Sequence, residues 1–169
     1  MRQAGPQGMA DSVQDRRAAR ALVLSHEDEA LMLRFANPFG GKDVWLTPGG
    51  GVHPGEDDRT ALHREVWEET GLRLPDDVPL IWRRVHTYPL RGEQVRQSED
   101  IYFARVARFE PTSANNPAHG EVNIFREFRW WSLDEIRASR ELFVPKGFAE
   151  LLKKVIDGGL PTHPVILHG

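Results

Sequence analysis

The chain has 169 residues, 40% of them hydrophobic and 28% charged, with a formal net charge of -3 and no cysteine. That length suits one compact domain with a sizeable core and leaves little room for two. A slightly acidic balance offers no broad basic field for a phosphate backbone, and a cysteine-free chain has no disulfide, thiolate metal site or cysteine nucleophile.

The opening "MRQAGPQGMADSVQDRRAAR" lacks the apolar run of a signal peptide, and no later run approaches a membrane span. The expectation is a protein of a reducing cytoplasm, without a membrane partner. Residues 1–16 read as a disordered leader, with Met9 an alternative start to Met1. The domain is expected over residues 17–160. "AARALVLS" and "EALMLRF", separated by "HED", predict a hairpin or two neighbouring strands, and "ANPFGGKD" a loop. "VWLTPGGG" predicts a short strand that ends at Pro48 in a glycine turn.

A helix follows. Asp57 or Asp58 can cap its start, Leu62 and Val66 lie four apart on its buried stripe, and Gly71 stops it. Further strands are expected at about Pro79 to Tyr88 and Ile101 to Ala107, and "FEPTSANNPAHGE" is a turn-rich loop before the strand "EFRWW". Short helices at Leu133 to Ser139 and Pro145 to Asp157 close the domain, and residues 161–169 read as an irregular tail. Strands on both sides of one internal helix, with helices at the end, predict an α/β fold in which a mixed sheet is covered by helices.

The chemistry concentrates on the internal helix. Glu65, Glu68 and Glu69 share an arc of about 100°. Glu65 lies three positions from Leu62 and Glu69 three from Val66, so both border the stripe that packs on the sheet. Two such charges about 6 Å apart at an effective dielectric near 20 repel by roughly 3 kcal/mol, a repulsion that a divalent cation offsets. Hard carboxylates suit Mg²⁺ better than zinc. The glycine turn ahead of the helix can bring backbone close to such an ion, whereas Glu56, Asp57 and Asp58 would repel a bare phosphate. P-loop, zinc-protease and cysteine-dependent deaminase motifs are all missing.

These residues resemble the Nudix box, G-x5-E-x7-R-E-U-x-E-E-x-G-U with U aliphatic, at Gly50, Glu56, Arg64, Glu65, Val66, Glu68, Glu69, Gly71 and Leu72. The resemblance implies a Nudix fold, an α/β/α sandwich with a mixed sheet. It implies water attack on the diphosphate linkage of a nucleoside diphosphate derivative, such as a nucleotide, nucleotide sugar or dinucleotide, with Mg²⁺ or Mn²⁺. Glu65, Glu68 and Glu69 become the expected metal ligands, joined by the carbonyl of Gly49 or Gly50. Arg64 is expected to orient Glu65 and pair with Glu56, which is structural. Glu65 doubles as a candidate general base, and Glu121, in the late loop, is a further catalytic candidate.

Substrate contacts are expected from Arg34, Trp45, Arg84 and Tyr88, with the basic stretch "RRVHTYPLRGEQVR" facing phosphates. The expected partner is a small nucleotide derivative, nucleic acid being disfavoured by the charge; homodimerisation stays open. Two alternatives remain: a nucleotide-sensing domain without turnover, and a pyrophosphohydrolase of RNA 5′ ends.

Overall fold

The computed structural model describes residues 13–37, 40–117 and 124–168. In chain order the elements are β1 (Val13–Ser25), β2 (Ala30–Phe35), β3 (Val44–Leu46), β4 (Gly49–Gly51), α1 (Asp58–Thr70), β5 (Leu80–Leu90), β6 (Glu93–Val106), β7 (Phe125–Trp131), α2 (Leu133–Ala138), β8 (Leu142–Val144), α3 (Phe148–Gly158) and β9 (Val165–His168). The strands form one mixed sheet in the order β8-β3-β2-β1-β6-β5-β9, with β4 added to β1 and β7 to β2. β1 runs parallel to β6, whereas β5 and β6 form an antiparallel hairpin. Among the described residues no helix is long and apolar enough to cross a membrane.

Strand alternation divides β1 between two cores. Ala19, Ala21 and Val23 pack with Ala61, Leu62 and Val66 of α1, while Leu22 and Leu24 pack with Phe148, Leu152 and Val155 of α3. The helices therefore cover opposite faces, the α/β/α arrangement expected from the sequence. Leu62 and Val66 are fully buried, which contributes roughly 1.5–3 kcal/mol for each side chain. Asp57 caps α1 by accepting from Thr60 N at 2.8 Å, and Gly71 ends it in the left-handed region at φ 75°.

Three expectations need correction. Residues 13–16 were expected in a leader but belong to β1, because β6 begins at Glu93 and pairs with Val13 to Arg16 over its polar first half. Residues 161–169 were expected as an irregular tail, yet Val165 to His168 add a parallel strand beside Trp82 to Val85 of β5. The β-branched Val165 and Ile166 favour that extended backbone over the irregularity suggested by Pro161 and Pro164. The glycines 49–51 form a strand rather than a turn, paired with Ala18 to Arg20.

Candidate active site

β4 lies between β1 and α1, so the glycine strand is the floor against which the carboxylates of α1 rest. Gly50 presents a bare face there: a Cβ on it would lie 2.5 Å from Glu65 Oε2. The next glycine along acts through its backbone, Gly49 N–H donating to Glu69 Oε2 at 2.7 Å. Arg64 ties the loop to the helix. Its Nε and Nη2 donate to Glu56 at 2.8 and 2.9 Å, its Nη1 to Glu65 at 2.7 Å and Glu68 at 3.4 Å, and its Nη2 also to the Gly51 carbonyl at 3.0 Å.

The electrostatics follow. The Arg64 hydrogen bonds hold Glu56 down at about 2 against the opposing effect of burial, with the His53 N–H assisting. Glu69 goes the other way, pushed up to about 8 by burial of its carboxyl group; Gly49 N–H and Arg20 oppose the shift, and the charges of Glu65 and Glu68 add to it.

Two cavities flank the carboxylates. One, of about 670 Å³, is lined by Gly49 and Glu69, by Arg20, Arg84, His86, Tyr88, Gln97 and Glu99, and by an apolar side that includes Phe35, Val44 and Leu46. The other, also about 670 Å³, is lined by Glu65, Glu56, Gly51 and His53, with Gln14 and Arg17. Arg16 lines both, and it has no ion-pair partner among the described residues.

The wall of the first cavity is a polar network of which the sequence pointed to Arg84 and Tyr88 but not to Arg20 and Glu99. Glu99 is 3% exposed and pairs with Arg20 Nε at 3.0 Å and Arg84 Nε at 2.9 Å, while Gln97 donates to it at 2.8 Å. Burial raises the Glu99 pKa, but the two guanidiniums outweigh that and hold it at about 2. Tyr88 donates to Gln97 at 2.9 Å and its ring stacks on His86. Burial, and then Arg84, hold His86 below its usual value, and its Nε2 lies 3.3 Å from Arg84 Nη2. The available signal was polar residues at period two, with Arg84 opposite Glu99, His86 opposite Gln97 and Tyr88 next along the same face.

Of the residues expected at the site, Glu56, Arg64, Glu65, Glu68, Glu69, Gly49 and Gly50 come together, and Arg84 and Tyr88 line the adjoining cavity. Arg34 and Trp45 do not join them. Strand parity sends Phe35, Val44 and Leu46 into the first cavity and turns Arg34 and Trp45 away to a separate one of about 390 Å³. There Arg34 pairs with Glu127 at 2.9 Å, and Trp45, 2% exposed, packs on Trp131 and donates to Glu141 at 3.2 Å. Glu121 lies outside the described residues.

The sequence profile of the NUDIX domain matches residues 14–154. The chain belongs to the Nudix hydrolase family. It is 39% identical over 109 residues to an RNA pyrophosphohydrolase of Teredinibacter turnerae, covering 58% of this chain and 61% of that protein. It is 25% identical over 148 residues to the human diphosphoinositol polyphosphate phosphohydrolase 3-alpha, covering 88% and 82%. This Nudix chain thus spans less than two thirds of the length of the RNA pyrophosphohydrolases it matches. Among solved structures, a MutT Nudix hydrolase from Burkholderia pseudomallei superposes with a TM-score of 0.62 at 25% identity, over 84% of this chain and 98% of that one.

Proposed function

We propose that this Nudix chain hydrolyses the diphosphate linkage of a nucleotide derivative, with Glu65, Glu68 and Glu69 as ligands of Mg²⁺, or of Mn²⁺ in its place. The observation that carries this reading is the junction of the two cavities, with Glu69 and Gly49 on one side, Glu65 and Gly51 on the other, and Arg16 lining both. A diphosphate at that junction sends its two ends into different surroundings. The cavity with Tyr88, Phe35 and Leu46 offers apolar and aromatic surface for a base, and the one with Gln14, Arg17 and His53 offers polar contacts for the second moiety.

The residues fit the metal by their donor chemistry. All three side chains are hard oxygen ligands, and Gly50 leaves a cradle that a Cβ would fill. Among the described residues no three acidic or imidazole groups already stand at metal-holding distance; Arg64 and Gly49 N–H engage the carboxylates instead. Gly49 or Gly50 would add a carbonyl ligand, Gly49's carbonyl also accepting from Arg20 at 3.0 Å. A bound metal would neutralise phosphate oxygens and acidify a water. The chain's own part is to orient Glu65 through Arg64 and Glu56, and to meet phosphate with Arg16 and Arg84. Glu65 is the proposed acceptor of the water's proton, with Glu121 as the alternative.

A second reading is favoured by the RNA pyrophosphohydrolase relatives, and makes triphosphorylated RNA the substrate. The test is product release from ADP-ribose, diadenosine polyphosphates, nucleoside di- and triphosphates and triphosphorylated RNA, with and without Mg²⁺. Cleavage that requires metal and falls by roughly a hundredfold or more in Glu69→Gln supports the reading. A Glu69→Gln protein that keeps wild-type turnover in saturating Mg²⁺ overturns the metal assignment. Silence across the panel while Mn²⁺ still binds favours a sensing domain.

A further inference from the structure

Both ends of the Gly49 residue are held. Its N–H donates to Glu69 Oε2 at 2.7 Å, and its carbonyl accepts from Arg20 Nη1 at 3.0 Å. The same Nη1 donates to the Thr47 carbonyl at 3.1 Å, so one guanidinium grips the chain on both sides of Pro48. Gly49 has φ 135°, and a Cβ there would lie 2.9 Å from Arg20 Cγ. Glycine reaches that region without strain, and the two hydrogen bonds at its ends select it there.

Arg20 is itself positioned. Its Nε meets Glu99 Oε1 at 3.0 Å, and Glu99 is engaged on its other oxygen by Arg84 at 2.9 Å. Both partners of the Arg20–Glu99 pair are largely buried, at 15% and 3% side-chain exposure. Buried ion pairs of this kind contribute little net stability against well-packed apolar residues, because desolvation costs about as much as the attraction returns. Geometry is the better account of the pair. A rigid fork, unlike an ammonium, can satisfy a carboxylate and two carbonyls at once.

We infer that Arg20 and Glu99 are positioning residues for the carboxylate site: Glu99 orients the Arg20 guanidinium, which fixes the Gly49 peptide, whose N–H in turn orients Glu69. The inference rests on the proposed role of Glu69 as a metal ligand. Outer partners that orient a ligand typically affect metal affinity by roughly ten- to a hundredfold.

The experiment measures Mn²⁺ affinity by calorimetry, without substrate, on wild type, Glu99→Gln, Arg20→Lys and Glu69→Gln, with circular dichroism confirming the fold. Arg20→Lys keeps the positive charge beside Glu69 but not the fork, which separates geometry from charge. The expected result is a loss of roughly tenfold or more in Mn²⁺ affinity for both positioning variants. Half-maximal turnover should move to correspondingly higher Mg²⁺. Unchanged Mn²⁺ affinity in folded Glu99→Gln and Arg20→Lys, with affinity lost in Glu69→Gln, overturns this inference alone. Unchanged affinity in Glu69→Gln removes the metal reading beneath it. A raised KM for nucleotide with wild-type Mn²⁺ affinity would assign Arg20 to the substrate instead. Should Glu99→Gln fail to fold, Arg20→Lys, which keeps the buried charge pair, decides.

Discussion

The carboxylate of Glu65 lies across the bare face of Gly50, where a Cβ would stand 2.5 Å from Oε2. At Gly49 an added Cβ meets backbone instead, Ala19 O at 2.3 Å and Arg20 Cα at 2.5 Å, on a residue at φ 135°. The end of a glutamate side chain can swing aside; a paired strand cannot. Gly50→Ala should therefore fold with a stability within about 1 kcal/mol of wild type, yet lose turnover by roughly a hundredfold, the cost of a misplaced group of about 1 Å. Gly49→Ala should lose about 3 kcal/mol or more of stability from strain and overlap. Denaturant unfolding and turnover on the same two proteins separate the effects, and a fully active Gly50→Ala would contradict the cradle.

Tyr88 and Trp45 are both aromatic strand residues, but only Tyr88 faces the cavity beside Glu69. Trp45 is buried against Trp131 and Phe143. Trp45→Ala should cost roughly 3–5 kcal/mol of stability as a cavity in the core. Tyr88→Ala should leave most of the stability and raise the KM for nucleotide by about tenfold, in line with the loss of a stacking platform. Thermal melts paired with Michaelis curves distinguish them, and a Trp45→Ala protein with a normal melt and a raised KM would return Trp45 to the site.

The contrast shows which information was local. The α1 carboxylates, the Asp57 cap, the Gly71 stop and the Glu56–Arg64 pair were legible because all are fixed by spacing along one turn and helix. Arg34 and Trp45 were misread because parity on β2 and β3 depends on which face the cavity occupies, and neither strand states that alone. Glycines carry no side-chain pattern, so β4 is defined by its partner β1 rather than by itself. Glu99 and Arg20 are 79 residues apart, and their pairing exists only once β1 and β6 run side by side.

Acid should expose the role of that pair in stability. Glu99 has a folded-state value of about 2, below its ordinary 4.5, so its contribution is fully present above about 4.5 and is lost as the pH falls toward 2. Glu99→Gln should be less stable than wild type at neutral pH by an amount on the order of a few kcal/mol. The gap between the two proteins should then narrow steadily between about pH 4.5 and 2, since a protonated Glu99 and a glutamine are both neutral. Urea unfolding across that range measures it. A gap that stays constant on acidification would mean Glu99 is not held ionised by Arg20 and Arg84.

The edge strand β9 supplies the last expectation. Val165 to His168 pair in parallel with Trp82 to Val85, and Leu167 packs against the core that holds Trp82 and Phe148. Removing residues 165–168 leaves β5 as the sheet edge, with its backbone donors and acceptors open and Val85, already 54% exposed, on the margin. Loss of a partly buried leucine and four residues of pairing should lower stability by roughly 2–4 kcal/mol and promote association through the new edge. Arg84 and Tyr88 ride on the same strand, so the KM for nucleotide should rise as β5 loosens, while Mn²⁺ affinity, set at α1 and β4 with Arg20 of β1 and Glu99 of β6, should hold. Melting temperature, light scattering and Mn²⁺ calorimetry on the truncated chain test the three parts together. A drop in metal affinity as large as the change in KM would mean that β5 and the carboxylate site are mechanically one unit.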